Sequence, residues 1–179
     1  WYLIQNCSSY KDMEVSGTWK KREYEGLVPS GIRRYIPLVY DKLVHSILAK
    51  TVDNPNLEKF KVETSSDLHK YTKRDLIVDE KDDEHQFKLI HTPKQTVWAS
   101  RAHKFQKKYK VFISTTDKYK VFVDNCGMTQ SIAFIRCSSK KKATEFMKML
   151  DHPLYIFINN ICRWGNFNNI RILQNFPIS

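Results

Sequence analysis

Between residues 75 and 136 the chain runs in short stretches of apolar, β-branched and aromatic residues separated by polar ones. Asp75–Val78, Gln86–His91, Gln95–Ala99, Tyr109–Ser114, Lys120–Val123 and Ser131–Arg136 are such stretches. Their composition and their recurrence at spacings near ten residues predict strands, and a mostly antiparallel sheet is the economical arrangement. Before them, residues 37–50 place Leu43, Val44, Ile47 and Leu48 on one helical stripe, with Pro37 suited to the first turn. Asp53-Asn54-Pro55-Asn56 ends that helix. Residues 57–73 read as a loop with a short helix near 66–71, and Asp79, Glu80, Asp82, Asp83 and Glu84 as an exposed turn between two strands.

After the strands, Ser138-Ser139 offer an N-cap, and Ala143, Phe146, Met147 and Leu150 follow at helical spacing. Pro153 breaks this helix and opens another whose Leu154, Phe157, Ile158 and Ile161 share a face. Residues 164–169 read as a loop leading into an extended tail. Helix, then strands, then a helix pair is the order of an α+β domain, a mostly antiparallel sheet flanked by an N-terminal helix and a C-terminal helix pair.

Charge divides the same chain differently. Residues 1–84 hold 14 basic and 15 acidic side chains, whereas residues 85–179 hold 16 basic and only 4 acidic. The excess sits wholly in the second part, which predicts one basic face presented to a polyanion, nucleic acid before an anionic membrane. Residues 1–84 then read as a near-neutral docking segment and 85–179 as a basic, β-rich recognition segment of one compact domain. No run approaches the roughly 20 apolar residues of a membrane span. Cys7, Cys126, Cys137 and Cys162 are scattered without a CxxC pair, as expected of reduced intracellular thiols. The start at Trp1, without Met, reads as a piece of a longer polypeptide or as a chain whose ends were trimmed.

Candidate catalytic chemistry is sparse. With 5 glycines there is no GxGxxG or GxxxxGK[ST] loop, and no HExxH or GxSxG motif occurs. The acids at 79–84 read as a solvated turn rather than a cation site. Cys126, Cys137, Cys162 and His152 match no structural-zinc spacing. Richer in meaning is the stretch 94–120, where Lys94, Arg101, Lys104, Lys107, Lys108, Lys110, Lys118 and Lys120 stand against Asp117 alone. Trp98, His103, Phe105, Tyr109, Phe112 and Tyr119 are interleaved. Lysines on loops neutralise phosphates and release counterions, and planar side chains can stack on bases. Two polar loops, 124–130 and 163–169, carry residues able to read base edges: Asn125, Thr129, Gln130, Arg163, Asn166, Asn168 and Asn169.

From Ile90 to Ile178 the sequence resembles the C-terminal target-recognition region of TaqI-like and other type IIG-like adenine-specific DNA methyltransferases. The resemblance lies in Ile90-His91-Thr92-Pro93-Lys94, Lys110–Ser114, Asp124–Ser131, the helix with Leu154–Ile158, and the closing Asn175-Phe176-Pro177-Ile178. It implies a recognition domain whose catalytic partner lies in the same polypeptide, binds S-adenosylmethionine and acts on a flipped adenine. This chain has no Asn-Pro-Pro-Tyr-type motif. Its nearest string, Asp53-Asn54-Pro55-Asn56, lacks the second proline and the aromatic. No catalytic residue, metal or cofactor is therefore expected here, and S-adenosylmethionine belongs to the presumed parent enzyme.

The expected division of labour on double-stranded DNA follows. Lys94, Arg101, Lys104, Lys107, Lys108, Lys118 and Lys120 would grip phosphates, with Lys140 and Lys141 at a helix start where backbone N–H groups also favour anions. The two polar loops would read bases, the helix pair would back the sheet, and residues 1–84 would dock on the catalytic domain. The alternatives are a divergent restriction nuclease, which needs carboxylates clustered around a divalent cation, and a basic module for RNA or a protein partner.

Overall fold

Strand β6 (Lys110–Ser114) is buried along its whole length, and the other elements are arranged about it. It pairs antiparallel with β7 (Val121–Asp124) on one side and β9 (Ile132–Arg136) on the other. Side chains alternate across this sheet. Val111, Ile113, Val121, Ala133 and Ile135 point into one core, and Phe112, Phe122, Ile132 and Phe134 into another. Large β-branched and aromatic side chains occupy both faces, so this is an inner sheet, covered on both sides.

The first face is covered by helices. They are α1 (Lys42–Lys50), α2 (Lys140–Leu150), α3 (Pro153–Cys162) and the short α4 (Ile170–Leu173), which bury Val44, Leu48, Leu150, Ile158 and Leu173 among others. Against the second face lies another sheet, ordered β3 (Ile77–Val78), β5 (Gln95–Ala99), β4 (Phe87–Thr92) and β8 (Gly127–Met128). Its pairs are antiparallel except β4 with β8. β4 lies between two cores, sending Ile90 towards Phe112 and Leu89 towards Leu68, Ile77 and Val97. A hairpin, β1 (Met13–Trp19) with β2 (Arg22–Val28), precedes α1 and packs Val15, Trp19 and Tyr24 on the helical core. The computed structural model describes residues 13–28, 37–163 and 165–178.

The α+β class and the mostly antiparallel sheets are as read from the sequence. Ser139 caps α2 through its Oγ, which accepts the Lys142 N–H at 3.1 Å, and Pro153 opens α3. Several expectations are corrected. Residues 66–71 form turns rather than a helix, and a 3-10 turn follows at Arg74–Leu76. α1 starts at Lys42 under an Asp41 cap, so Pro37 lies outside it, and Leu43 faces solvent. The tail is not extended at first: Asn169 caps α4, after which Lys59 and Pro177 form a bridge.

The division of charge at residue 84 does not divide the core. β3 pairs with β5, Glu63 bridges Phe134, and Phe60 packs with Tyr155 and Phe176 across that point in the sequence. Among the described residues no helix is long and apolar enough to cross a membrane. Cys126 and Cys137 are free thiols, and Cys7 lies outside the described residues.

Candidate nucleic-acid interface

Strand β6 separates the basic residues into two groups. A rise near 3.4 Å per residue puts its ends about 14 Å apart. At the Ser114 end the β4–β5 turn (92–94), the β6–β7 turn (115–120), the β8–β9 turn (129–131) and residues 165–169 come together. At the Lys110 end lie the loop 101–109, the β7–β8 turn and the start of α2. The eight cations of residues 94–120 therefore do not share one face, as their proximity in sequence suggests.

At the Ser114 end, a cleft of about 330 Å³ is lined by Thr92, Pro93, Lys94, Thr116, Asp117, Lys118, Tyr119 and Lys120. Lys94 Nζ lies 3.0 Å from Asp117 Oδ2, and this hydrogen-bonded ammonium holds the Asp117 carboxyl below the usual range. The pair is exposed, so it adds little stability. Lys118 and Lys120 are exposed, and their ammonium groups make no hydrogen bond or salt bridge among the described residues. Residues 166–168 bond to the 115–117 turn, part of which lines the cleft. Arg163 Nη2 donates to the Asp117 carbonyl at 2.8 Å, and the Asp117 N–H donates to the Asn166 carbonyl at 2.8 Å. Gly165 takes φ +55°, in the left-handed region that a side chain disfavours.

Of the residues singled out for base reading, Thr129 and Asn168 are corrections. Thr129 is fully buried, its Oγ1 hydrogen-bonded to His91 Nδ1 at 2.7 Å. Asn168 is also buried: Nδ2 donates to the Ser114 carbonyl at 2.8 Å and to its Oγ at 3.2 Å, while Oδ1 accepts from Asn159 Nδ2 at 2.9 Å. Neither can reach a base edge. Gln130 is half-buried and its Oε1 accepts the Lys70 N–H at 3.0 Å, fastening the β8–β9 turn to the segment that carries exposed Tyr71. Asn169 uses Oδ1 to cap α4. Asn166 is exposed, and its side-chain amide has no partner among the described residues.

The Lys110 end is organised by a buried ammonium group. Lys110 is fully buried and donates to the carbonyls of Phe105 (2.7 Å), Lys108 and Asn125 (3.5 Å). Burial pushes its pKa down to about 8. It is a staple between the loops, not a phosphate ligand. Gln106 adds a second tie, accepting the Gly127 N–H at 2.9 Å and donating to the Lys88 carbonyl at 3.2 Å. Held this way, Lys104, Lys107 and Lys108 are exposed beside Asn125, and Lys140 and Lys141 open α2 at the same end of the sheet. Arg101 is committed to Asp67, 3.0 Å away. Burial raises the Asp67 pKa, but hydrogen bonds from Arg101 and the Lys104 amide carry it below the usual carboxylate range.

The close approach of the two loops requires glycine at 127. A Cβ there would lie 2.5 Å from both Gln106 Oε1 and His103 Cβ and 2.7 Å from Leu89 Cδ2. Gly127→Ala is expected to lower stability by about 2 kcal/mol through overpacking, seen as a lower urea midpoint with an unchanged slope.

Ser65, His103 and Asp67 meet in this region and invite comparison with a nucleophilic triad. Ser65 Oγ lies 2.9 Å from His103 Nε2. However, His103 Nδ1 accepts the Phe105 N–H at 3.0 Å, so the ring proton resides on Nε2 and is donated to Ser65. The imidazole therefore cannot take the serine proton. Burial pushes its pKa down to about 4, and it serves as a neutral structural link. In the acidic turn, Asp82 is spent on the Glu84 and His85 amides and the His85 ring, and Asp79 pairs with Lys70 at 2.6 Å. Among the described residues no group of three His, Cys, Asp or Glu side chains is arranged to hold a metal ion.

Comparison with protein-family models, with curated proteins and with solved structures gives no match to this chain.

Proposed function

We propose that the chain recognises a specific sequence of double-stranded DNA, as the target-recognition part of an adenine-specific DNA methyltransferase. On this reading the methyl donor, S-adenosylmethionine, and the catalytic domain belong to the parent polypeptide. The observation that carries the reading is the meeting of two polar loops distant in sequence, around Gln130 and Asn166, at one sheet end beside the Lys94–Lys118–Lys120 cleft. Phosphate contacts fix register while base contacts select sequence, and both kinds of group stand side by side here. Asn166 offers an amide with donor and acceptor unused, the pair needed for adenine. Gln130 keeps its NH2 donor, and Arg163 orders the loop rather than reaching outward. The Lys104–Lys107–Lys108 and Lys140–Lys141 group provides a second phosphate grip at the other end of β6.

The test is selection from randomised duplexes at low and moderate salt. One enriched motif that survives the higher salt is the expected result, with Asn166→Ala and Gln130→Ala each relaxing single positions of it. Retention without enrichment, collapsing steeply with salt, would reduce the reading to a basic surface.

A further inference from the structure

The loop 163–169 carries a large apolar side chain that the reading above leaves unused. Phe167 is 63% exposed, whereas Phe112 and Phe134 of the inner sheet are fully buried. The backbone around Phe167 is fixed. Phe167 and Thr116 form a bridge, the Asn166 carbonyl accepts the Asp117 N–H, and the Asn168 N–H donates to the Thr115 carbonyl. The Asn168 side chain locks the next position between Asn159 and Ser114. An aromatic ring held outward on a fixed backbone has little freedom left to lose on contact, which favours binding through it. Thr116 also lines the cleft rimmed by Lys94, Lys118 and Lys120. An exposed ring next to unpaired ammonium groups is the combination that stacks on a base while neutralising its neighbouring phosphates.

We propose that Phe167 is a wedge that enters a base step of bound DNA and stacks on the base it uncovers, while Lys118 and Lys120 each hold a phosphate flanking that step. The inference rests on the DNA-recognition reading. Apolar side chains act in this way by partly unstacking a step and kinking the duplex. Unstacking is the costly part, and it is least costly where pairing is already broken. A wedge therefore prefers a mismatched step, whereas a purely cationic surface does not distinguish the two.

The probe is a pair of duplexes of about 20 base pairs and identical sequence, one fully paired and one with a single central mismatch, long enough to span both basic groups. Anisotropy titrations at fixed salt should show the wild-type protein binding the mismatched duplex roughly tenfold tighter. Phe167→Ala should bring that ratio to near one, and Phe167→Trp should keep it. Because Phe167 is exposed, both variants should retain the wild-type urea midpoint. Lys118→Ala with Lys120→Ala should weaken both duplexes alike and reduce the salt slope by about two. Equal wild-type affinity for the two duplexes, or a preference that survives in Phe167→Ala, overturns the wedge alone. Failure of the wild-type protein to bind either duplex overturns the DNA reading itself.

Discussion

Asn168→Ala is expected to lower the unfolding free energy by about 3 kcal/mol and to weaken DNA binding at the same time. The side chain is buried and makes three hydrogen bonds, two given to Ser114 and one received from Asn159. Truncation leaves the Asn159 NH2 without an acceptor and removes a donor from the Ser114 carbonyl, each an uncompensated buried polar group. The Asn159 Oδ1 atom already has no hydrogen-bond partner among the described residues, so this pocket has no spare bond to share. Asn168→Asp sharpens the test. It preserves shape and the acceptor for Asn159, but places a carboxylate oxygen against the Ser114 carbonyl, so it should be at least as damaging. Urea unfolding followed by circular dichroism reads the stability. If Asn168→Asp is close to wild type, the donors to Ser114 are not what holds the loop. Loss of binding follows because Asn166 and Phe167 are aimed by the same anchor, although Asn168 itself touches no base.

Asn168 also marks the limit of what its sequence context conveyed. In a loop containing Asn166, Asn168 and Asn169 all three look alike, yet one points out, one is buried and one caps a helix. Loop polarity reports that the backbone must be satisfied, not which side chain does it. Thr129 follows the same rule, consumed by His91. The strands and the α2 and α3 starts were legible because periodicity and caps act locally, through Ser139 and Pro153. The β1–β2 hairpin was hidden because its turn is Lys20-Lys21, with φ of 49° and 66°. Such two-residue turns ordinarily announce themselves by Asn-Gly or Gly. The segment 66–71 carries helix-compatible residues, but tertiary anchors override them: Leu68 is drawn into the core beside Leu89, and Asp67 is drawn to Arg101. Charge was the least transferable quantity. Lys110 reads as one more basic residue, yet it is the buried staple, and its neighbours in sequence were divided between two ends of the strand that it begins.

A stability loss between pH 6.5 and about pH 4 is the second large effect expected, and His103 is its source. The native imidazole titrates at about 4 against an ordinary value of 6.5. Burial is the main cause. Asp67 opposes it, while Lys110, Lys104 and Arg101 reinforce it. A base whose folded-state pKa is depressed binds its proton more readily when unfolded. The contribution to stability is therefore complete above pH 6.5 and is lost as pH falls through that window towards 4. The shift corresponds to about 3 kcal/mol at full extent, and the ring is fully buried, so little of it is screened. The structural reason is specific: protonating Nδ1 would set an N–H against the Phe105 N–H that it now accepts. His103→Asn separates this contribution from the rest, because an Asn oxygen can replace Nδ1 as the acceptor for Phe105 and does not titrate. The wild-type protein should lose about 3 kcal/mol more than His103→Asn between pH 7 and pH 4 in urea unfolding. His91, whose pKa burial also lowers, is common to both proteins and cancels in the comparison. Asp67, Asp79, Asp82, Asp117 and Asp124 titrate below their ordinary range, so their loss falls at more acid pH. Equal slopes in the two proteins would mean that the imidazole is free to protonate in the fold. Such a result would also remove the tautomer argument that assigns Ser65 and His103 a structural rather than a nucleophilic role.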